Sequence, residues 1–250
     1  MFLALLALAL APSAHAGIVN VQPVLSAEEE EGWSTEITGS LNANTGNVSS
    51  FIARGGALVR YQVGDHRFTS SSNAQIGFSG GNEFLNSAVT HLRHQAALSE
   101  RVEWETYLQA SRNPYRRLYR GLAGTGPRWA FVDTEEAELA AAVSYLFELQ
   151  RFTVGDYPDS GEVQRNHRAS TYLTGTLSLD PAVTLVHTTY FQPRLDDPTD
   201  YRLLSQSSVG FKVTESLAFR VEFSLAYYTS PPAGVERLDS STNLGLTLSL

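Results

Sequence analysis

The 250-residue chain contains no cysteine, which excludes a disulfide framework and a thiolate metal site. It has no excess of positive charge. Its 18 Lys and Arg stand against 26 Asp and Glu, a net charge of −8, whereas a nucleic-acid partner favours a basic patch. Beyond the first residues it lacks the run of ~20 apolar residues that a spanning helix needs. A hydrophobic content of 42% and a mean hydropathy of −0.16 mark no helical membrane protein. A transmembrane β-barrel has this composition, because only every second strand residue faces lipid.

Residues Met1 to Ala16 form an apolar run ending in Ala14-His15-Ala16 before Gly17. A small-x-small site after such a run predicts an export signal over 1–16, with an N-terminal anchor helix as the alternative. Residues 17–32 carry Pro23 and the run Glu28 to Glu31, and read as a mobile acidic leader on the periplasmic side. The glutamates lack the ligand spacing and turn glycines of a calcium loop.

From Trp33 the chain breaks into amphipathic strands separated by turn signals. The predicted strands are 33–44, 50–62, 67–80, 84–98, 102–111, 118–132, 136–152, 167–179, 183–194, 201–213, 217–228 and 239–250. About twelve strands fits the even number of bacterial single-chain barrels. The connections also alternate. Gly64-Asp65, Glu100-Arg101, Asp133-Thr134, Asp180-Pro181 and Thr214-Glu215 are tight, while 113–119, 153–166, 195–200 and 229–238 are longer. Short turns on one rim and long loops on the other characterise an outer-membrane barrel, and a Greek-key sandwich gives no reason for them. The expected domain is therefore a single antiparallel barrel over 33–250, both termini periplasmic.

Parity within each strand sorts the side chains. In 217–228, Leu217, Phe219, Val221, Phe223, Leu225 and Tyr227 share one face, with Arg220, Glu222 and Ser224 on the other. Arginine on the lipid face at mid-bilayer costs roughly 2–4 kcal/mol, so the charged face must be the lumen. The same test turns Arg54, Arg60, Arg93, Glu103, Glu105, Arg128, Glu148 and Arg202 inward, together with Arg220 and Glu222. These charges read either as a salt-bridge network filling the lumen or as the lining of a narrow channel. A second basic group, Arg112, Arg116, Arg117 and Arg120, is placed near an external loop. It reads as a site for an anionic solute or lipopolysaccharide phosphate, or as an ordinary solvated loop.

The final stretch alternates Leu244, Leu246, Leu248 and Leu250 with small polar residues. With Asn243 and Gly245, residues 243–250 resemble the C-terminal signal recognised by the barrel-assembly machinery of Gram-negative outer membranes, with leucine in place of the usual last aromatic. Further motifs resemble a family: Gly32-Trp33-Ser34, Thr45-Gly46-Asn47, Pro231-Pro232-Ala233-Gly234-Val235 and Leu238 to Thr242. They are similar to those of the outer-membrane barrels grouped as domain of unknown function 481, also labelled YdiY-like or putative salt-induced outer-membrane proteins. That resemblance implies a barrel in the outer membrane, in contact with its lipid and lipopolysaccharide, and carries over no catalytic residue.

Catalytic and metal motifs are weak. Gly77-Phe78-Ser79-Gly80-Gly81 satisfies G-x-S-x-G, but the flanks read strand to strand, and a nucleophile elbow needs a helix after the serine. The glycines are expected to relieve crowding or to mark a bulge near a rim. His91 and His94, at odd spacing, point to opposite faces and cannot share an ion. His187, among apolar neighbours, is expected on the lipid side. The sequence thus predicts no catalytic residues, metal or cofactor. It favours a barrel serving as a small-solute channel or envelope component, ahead of a phospholipase-like membrane enzyme or a soluble secreted sandwich.

Overall fold

A computed structural model describes residues 18, 20, 31–46, 49–114, 118–214 and 217–245, and the backbone of 246–248. Within these residues the chain forms one antiparallel sheet of twelve strands in sequence order. They are β1 (Gly32–Asn44), β2 (Ser50–Val63), β3 (His66–Ser79), β4 (Asn82–Ser99), β5 (Val102–Asn113), β6 (Leu118–Asp133), β7 (Ala137–Phe152), β8 (Val163–Asp180), β9 (Val183–Pro193), β10 (Tyr201–Lys212), β11 (Leu217–Tyr228) and β12 (Leu238–Leu248). The sheet curls into a barrel wall, so that strands distant in the sheet meet across a common interior. Arg202 on β10 reaches Gln150 on β7, and Tyr172 on β8 reaches Glu105 on β5. Among the described residues β1 and β12 are not hydrogen-bonded to each other, so they flank a seam.

The wall is turned inside out relative to a soluble protein. Trp104 is 43% exposed beside Glu105 at 1%, and Leu149 is 41% exposed between Glu148 and Gln150 at 0%. Polar groups inside and apolar groups outside require an apolar medium around the barrel. Aromatic side chains gather at both rims of the outer wall. At the rim where β1 begins and β12 ends, Trp33 stacks on Tyr61 with centroids 4.5 Å apart, and Phe68 on His94 at 4.5 Å. At the opposite rim, Phe191, Tyr201 and Tyr227 form a chain of rings. Two such girdles bound the apolar band of a transmembrane barrel.

Strand limits follow the predicted ones closely, with one notable difference. β8 begins at Val163 rather than His167, because Gln164 and Arg165 continue the ladder opposite Gln150 and Leu149. The loop there shortens accordingly. Gly64 turns β2 into β3 with φ +51°, and Gly80 and Gly81 turn β3 into β4 at +56° and +81°, a conformation that glycine adopts without steric cost. The register shifts at Gly77/Phe78, the expected bulge.

Two residues before the barrel are inside it. Ile18 is 3% exposed and packs in a cluster with Ala142, Tyr172, Tyr190, Leu204 and Ala226. Asn20 is also buried. Both belong to the segment read as an acidic periplasmic leader, whose other residues up to Glu30 lie outside the described residues. The cause of their burial is a patch of apolar and aromatic surface on β7 to β11 that the lumen would otherwise leave wet. Glu31 lies at the rim, where its Oε1 accepts from Gly64 N at 3.1 Å; Glu28 to Glu30 fall outside the described residues.

Candidate functional site: the ionised lumen

The interior is organised in three levels. The level nearest the long loops centres on Glu148 of β7. Its carboxylate pairs with Arg120 of β6 and Arg202 of β10, and with Arg168 Nε of β8 at 2.9 Å. Gln150 Nε2 and Asn166 Nδ2 also donate to it, at 3.0 and 3.2 Å. Arg168 extends the network to Asp200 Oδ1 at 3.0 Å and to the backbone carbonyls of Gln192 and Asp200 at 3.1 Å each. Arg202 donates to Tyr228 OH at 3.0 Å and lies over that ring, 4.2 Å from its centroid. Burying these charges carries a desolvation penalty that attraction offsets only when further hydrogen bonds satisfy the remaining groups; most are satisfied here, while Arg202 Nε has no partner among the described residues.

Asp200 enters this network from a loop built for it. Arg194 contacts Asp196, Asp197 and Asp200 at 2.7, 3.4 and 3.0 Å. The Thr199 hydroxyl donates to Asp197 Oδ1 at 2.6 Å and is the main cause holding that carboxyl below the usual range.

The middle level pairs Arg93 Nη1 of β4 with Glu105 Oε1 of β5 at 3.0 Å, and the Tyr172 hydroxyl donates to the same oxygen at 3.0 Å. His91 shares a hydrogen bond with Gln109 at 3.3 Å and lies against Tyr107. Tyr107 in turn reaches Ser144 at 2.9 Å. His91 Nε2, Arg93 Nε and Gln95 Oε1 have no hydrogen-bond partner among the described residues, so this level offers polar atoms to water or solute. The cavity there, bounded by Ile18, His91, Arg93 and Tyr190, measures about 20 Å³, enough for a single water. The level nearest the termini holds Arg128, with Nη1 3.1 Å from Glu103 and Nη2 2.7 Å from Glu138.

Of the lumenal residues expected from parity, Arg93, Glu103, Glu105, Arg128, Glu148 and Arg202 meet in these levels. Arg54, Arg60, Arg220 and Glu222 lie on the same inner register nearer the seam. Arg54 and Arg220 are exposed, and Arg60 and Glu222 half-buried; Glu222 accepts from Asn243 Nδ2 at 3.5 Å. Gly210 and Gly245 flank Arg220 on both neighbouring strands, leaving room around it.

The external basic group requires a correction. Arg120 is not a loop residue. It pairs with Ser111 in the β5–β6 ladder, points inward and is fully buried on Glu148. Arg112 is exposed at the end of β5, where its Nη1 donates to Asn86 Oδ1 at 2.8 Å. Arg116 and Arg117 lie outside the described residues. Parity reading missed Arg67, Glu138, Arg168 and Asp200. Arg165 and His167, polar on the outward face, hide the alternation that would have exposed Arg168, and Asp200 is a loop residue with no period.

The weaker motifs behave as their context suggests. His91 is buried inside while His94 stacks on Phe68 outside. His187 lies on the outward register, bonded to Ser207 Oγ at 2.8 Å and Thr189 Oγ1 at 2.9 Å. Ser79 ends a strand that turns into another strand, so the elbow geometry is absent there.

The fold is similar to that of solved outer-membrane proteins. The NanC porin matches with a TM-score of 0.51 at 10% identity, over 86% of this chain and 99% of that one. The KdgM porin matches with a TM-score of 0.41 at 8% identity, over 87% and 99%. Identities this low concern the fold alone. No curated protein sequence matches the chain. A family model described as protein of unknown function, DUF481, matches residues 37–250.

Proposed function

This chain belongs to the DUF481 family of proteins of unknown function, and from that premise we propose that it is a narrow outer-membrane channel for small polar or charged solutes. The observation that carries this reading is the ionised interior. A barrel that only had to fill its core could do so with apolar side chains at lower desolvation cost, whereas this one places charged groups at every level. Likeness of the fold to the NanC porin supports the same reading. The solute path runs beside the seam, past the exposed Arg54 and Arg220. Arg60 and Glu222 flank that path, while the paired residues on β4 to β10 form its fixed wall. Ile18 and Asn20 narrow the lumen from within.

In this reading residues 1–16 direct export and are removed, the termini face the periplasm, and the long loops face outward. The closing strand, 243–250, is what the assembly machinery recognises. The protein is assigned a transport role and no catalytic one. Liposome swelling tests the proposal: vesicles containing the folded chain should admit small charged solutes and exclude larger ones. Vesicles no more permeable than protein-free controls would reject it.

A further inference from the structure

The outer wall carries a built depression that the channel reading does not use. Between β4 and β7, at the rim of the long loops, lies a groove of about 480 Å³, a size in the roughly 300–1,000 Å³ range of small-molecule sites. Its floor is made of Ala88, Thr90, Ala110 and Gly121, with Tyr119 and Leu149 as its side. A Cβ added at Gly121 would meet nothing within 4 Å, so the floor is open there rather than packed.

Arginines surround this apolar groove on the membrane side. Register places Arg112, Tyr119 and Arg151 in one row across β5, β6 and β7. The next row toward mid-barrel runs Ala110, Gly121, Leu149 and Arg165. All belong to the outward parity, since Arg120, Glu148, Gln150 and Arg168 beside them point inward. Arg112, Arg151 and Arg165 are exposed, and among the described residues none pairs with a carboxylate. Arginine on a lipid-facing wall is unfavourable unless it sits at headgroup depth and meets an anion. Guanidinium forks match phosphate oxygens in pairs.

We propose that this groove binds a phosphorylated, acylated lipid of the outer leaflet. The phosphate sits on Arg112 and Arg151, Arg165 flanks it, and one acyl chain lies along the small-residue floor. The assignment rests on the reading of this wall as lipid-facing, and is independent of whether the lumen conducts.

The test uses the full chain folded in a neutral detergent, with bisphosphorylated lipid A and its dephosphorylated form as probes. Binding is read by native mass spectrometry, and folding by heat-modifiable gel migration. The phosphorylated lipid should bind at least about tenfold more tightly, as charge-assisted pairs predict. The triple variant Arg112→Gln, Arg151→Gln, Arg165→Gln should abolish that preference, while Gly121→Trp should weaken both forms by filling the floor. Equal binding of the two lipids, or a triple variant that keeps the preference, would overturn the proposal. Displacement of the lipid by inorganic phosphate alone would also overturn it, since the acyl chain would then contribute nothing. Liposome swelling that is unchanged in the triple variant keeps this outcome separate from the fate of the channel reading.

Discussion

The Tyr190 hydroxyl donates to Asn20 Oδ1 at 3.3 Å, joining two residues 170 positions apart in the chain. Ile18, two residues earlier, packs against the same tyrosine. Ile18 and Asn20 therefore touch the interior surface of β9, and the cavity left beside Ile18 on β4 to β9 is water-sized.

If Ile18 closes this level, its removal should open Ser144, which lines the small cavity, to solvent. The chain has no cysteine, so Ser144→Cys supplies a single probe. A water-soluble thiol reagent should label it slowly with Ile18 present and about tenfold or more faster with Ile18→Gly, since reaction needs an accessible thiolate. Equal rates would remove Ile18 from any gating role.

Glu148 holds together three guanidiniums that would otherwise repel one another. Glu148→Gln leaves Arg120 and Arg202 buried without their counter-ion, while Arg168 keeps Asp200, and breaking such a pair costs roughly 3–5 kcal/mol. The folded band on an unheated gel should unfold at a clearly lower temperature. Replacing Arg202 by methionine along with Glu148→Gln should recover part of the loss, because the excess charge falls. An unchanged transition in Glu148→Gln would mean that the network is hydrated rather than buried.

Leu108 is outward and exposed at the middle of β5, next to the inward and buried Gln109. Leu108→Arg should destabilise by about 2–4 kcal/mol in a bilayer, the cost of arginine near the midplane. Leu108→Phe should leave stability nearly unchanged. Refolding titrations in phospholipid vesicles with urea measure both, and equal stability of the two variants would contradict a lipid-facing position.

The wall was legible because each strand alternates along most of its length. Trp104 to Gln109 and Phe147 to Gln150 reveal their faces by parity alone, and Glu105 and Glu148 were found that way. Legibility ended where alternation did. Gln164, Arg165 and Asn166 are polar on both faces where β8 nears the rim, so four residues of the strand, 163–166, read as loop. Arg120 followed the basic run at Arg116-Arg117 in sequence and was grouped with it, although its register opposite Ser111 turns it inward. The pairing of three arginines on one glutamate joins β6, β7, β8 and β10 across the lumen, a relation that parity within single strands does not contain. Ile18 carries no periodic signal, and its partners lie on five different strands that only the curled sheet brings together.

The most direct measurement is single-channel current from the folded chain in a planar bilayer, with and without charge reversal in the lumen. A polar channel predicts discrete openings, with ion selectivity that shifts toward cations in Arg220→Glu and in Arg54→Glu, because both side chains are exposed on the inner register and lining charges set which ions enter. A folded protein that stays silent, also when Ile18→Gly removes the residue that narrows its lumen, would contradict the account. The interior would then be a sealed ionic core.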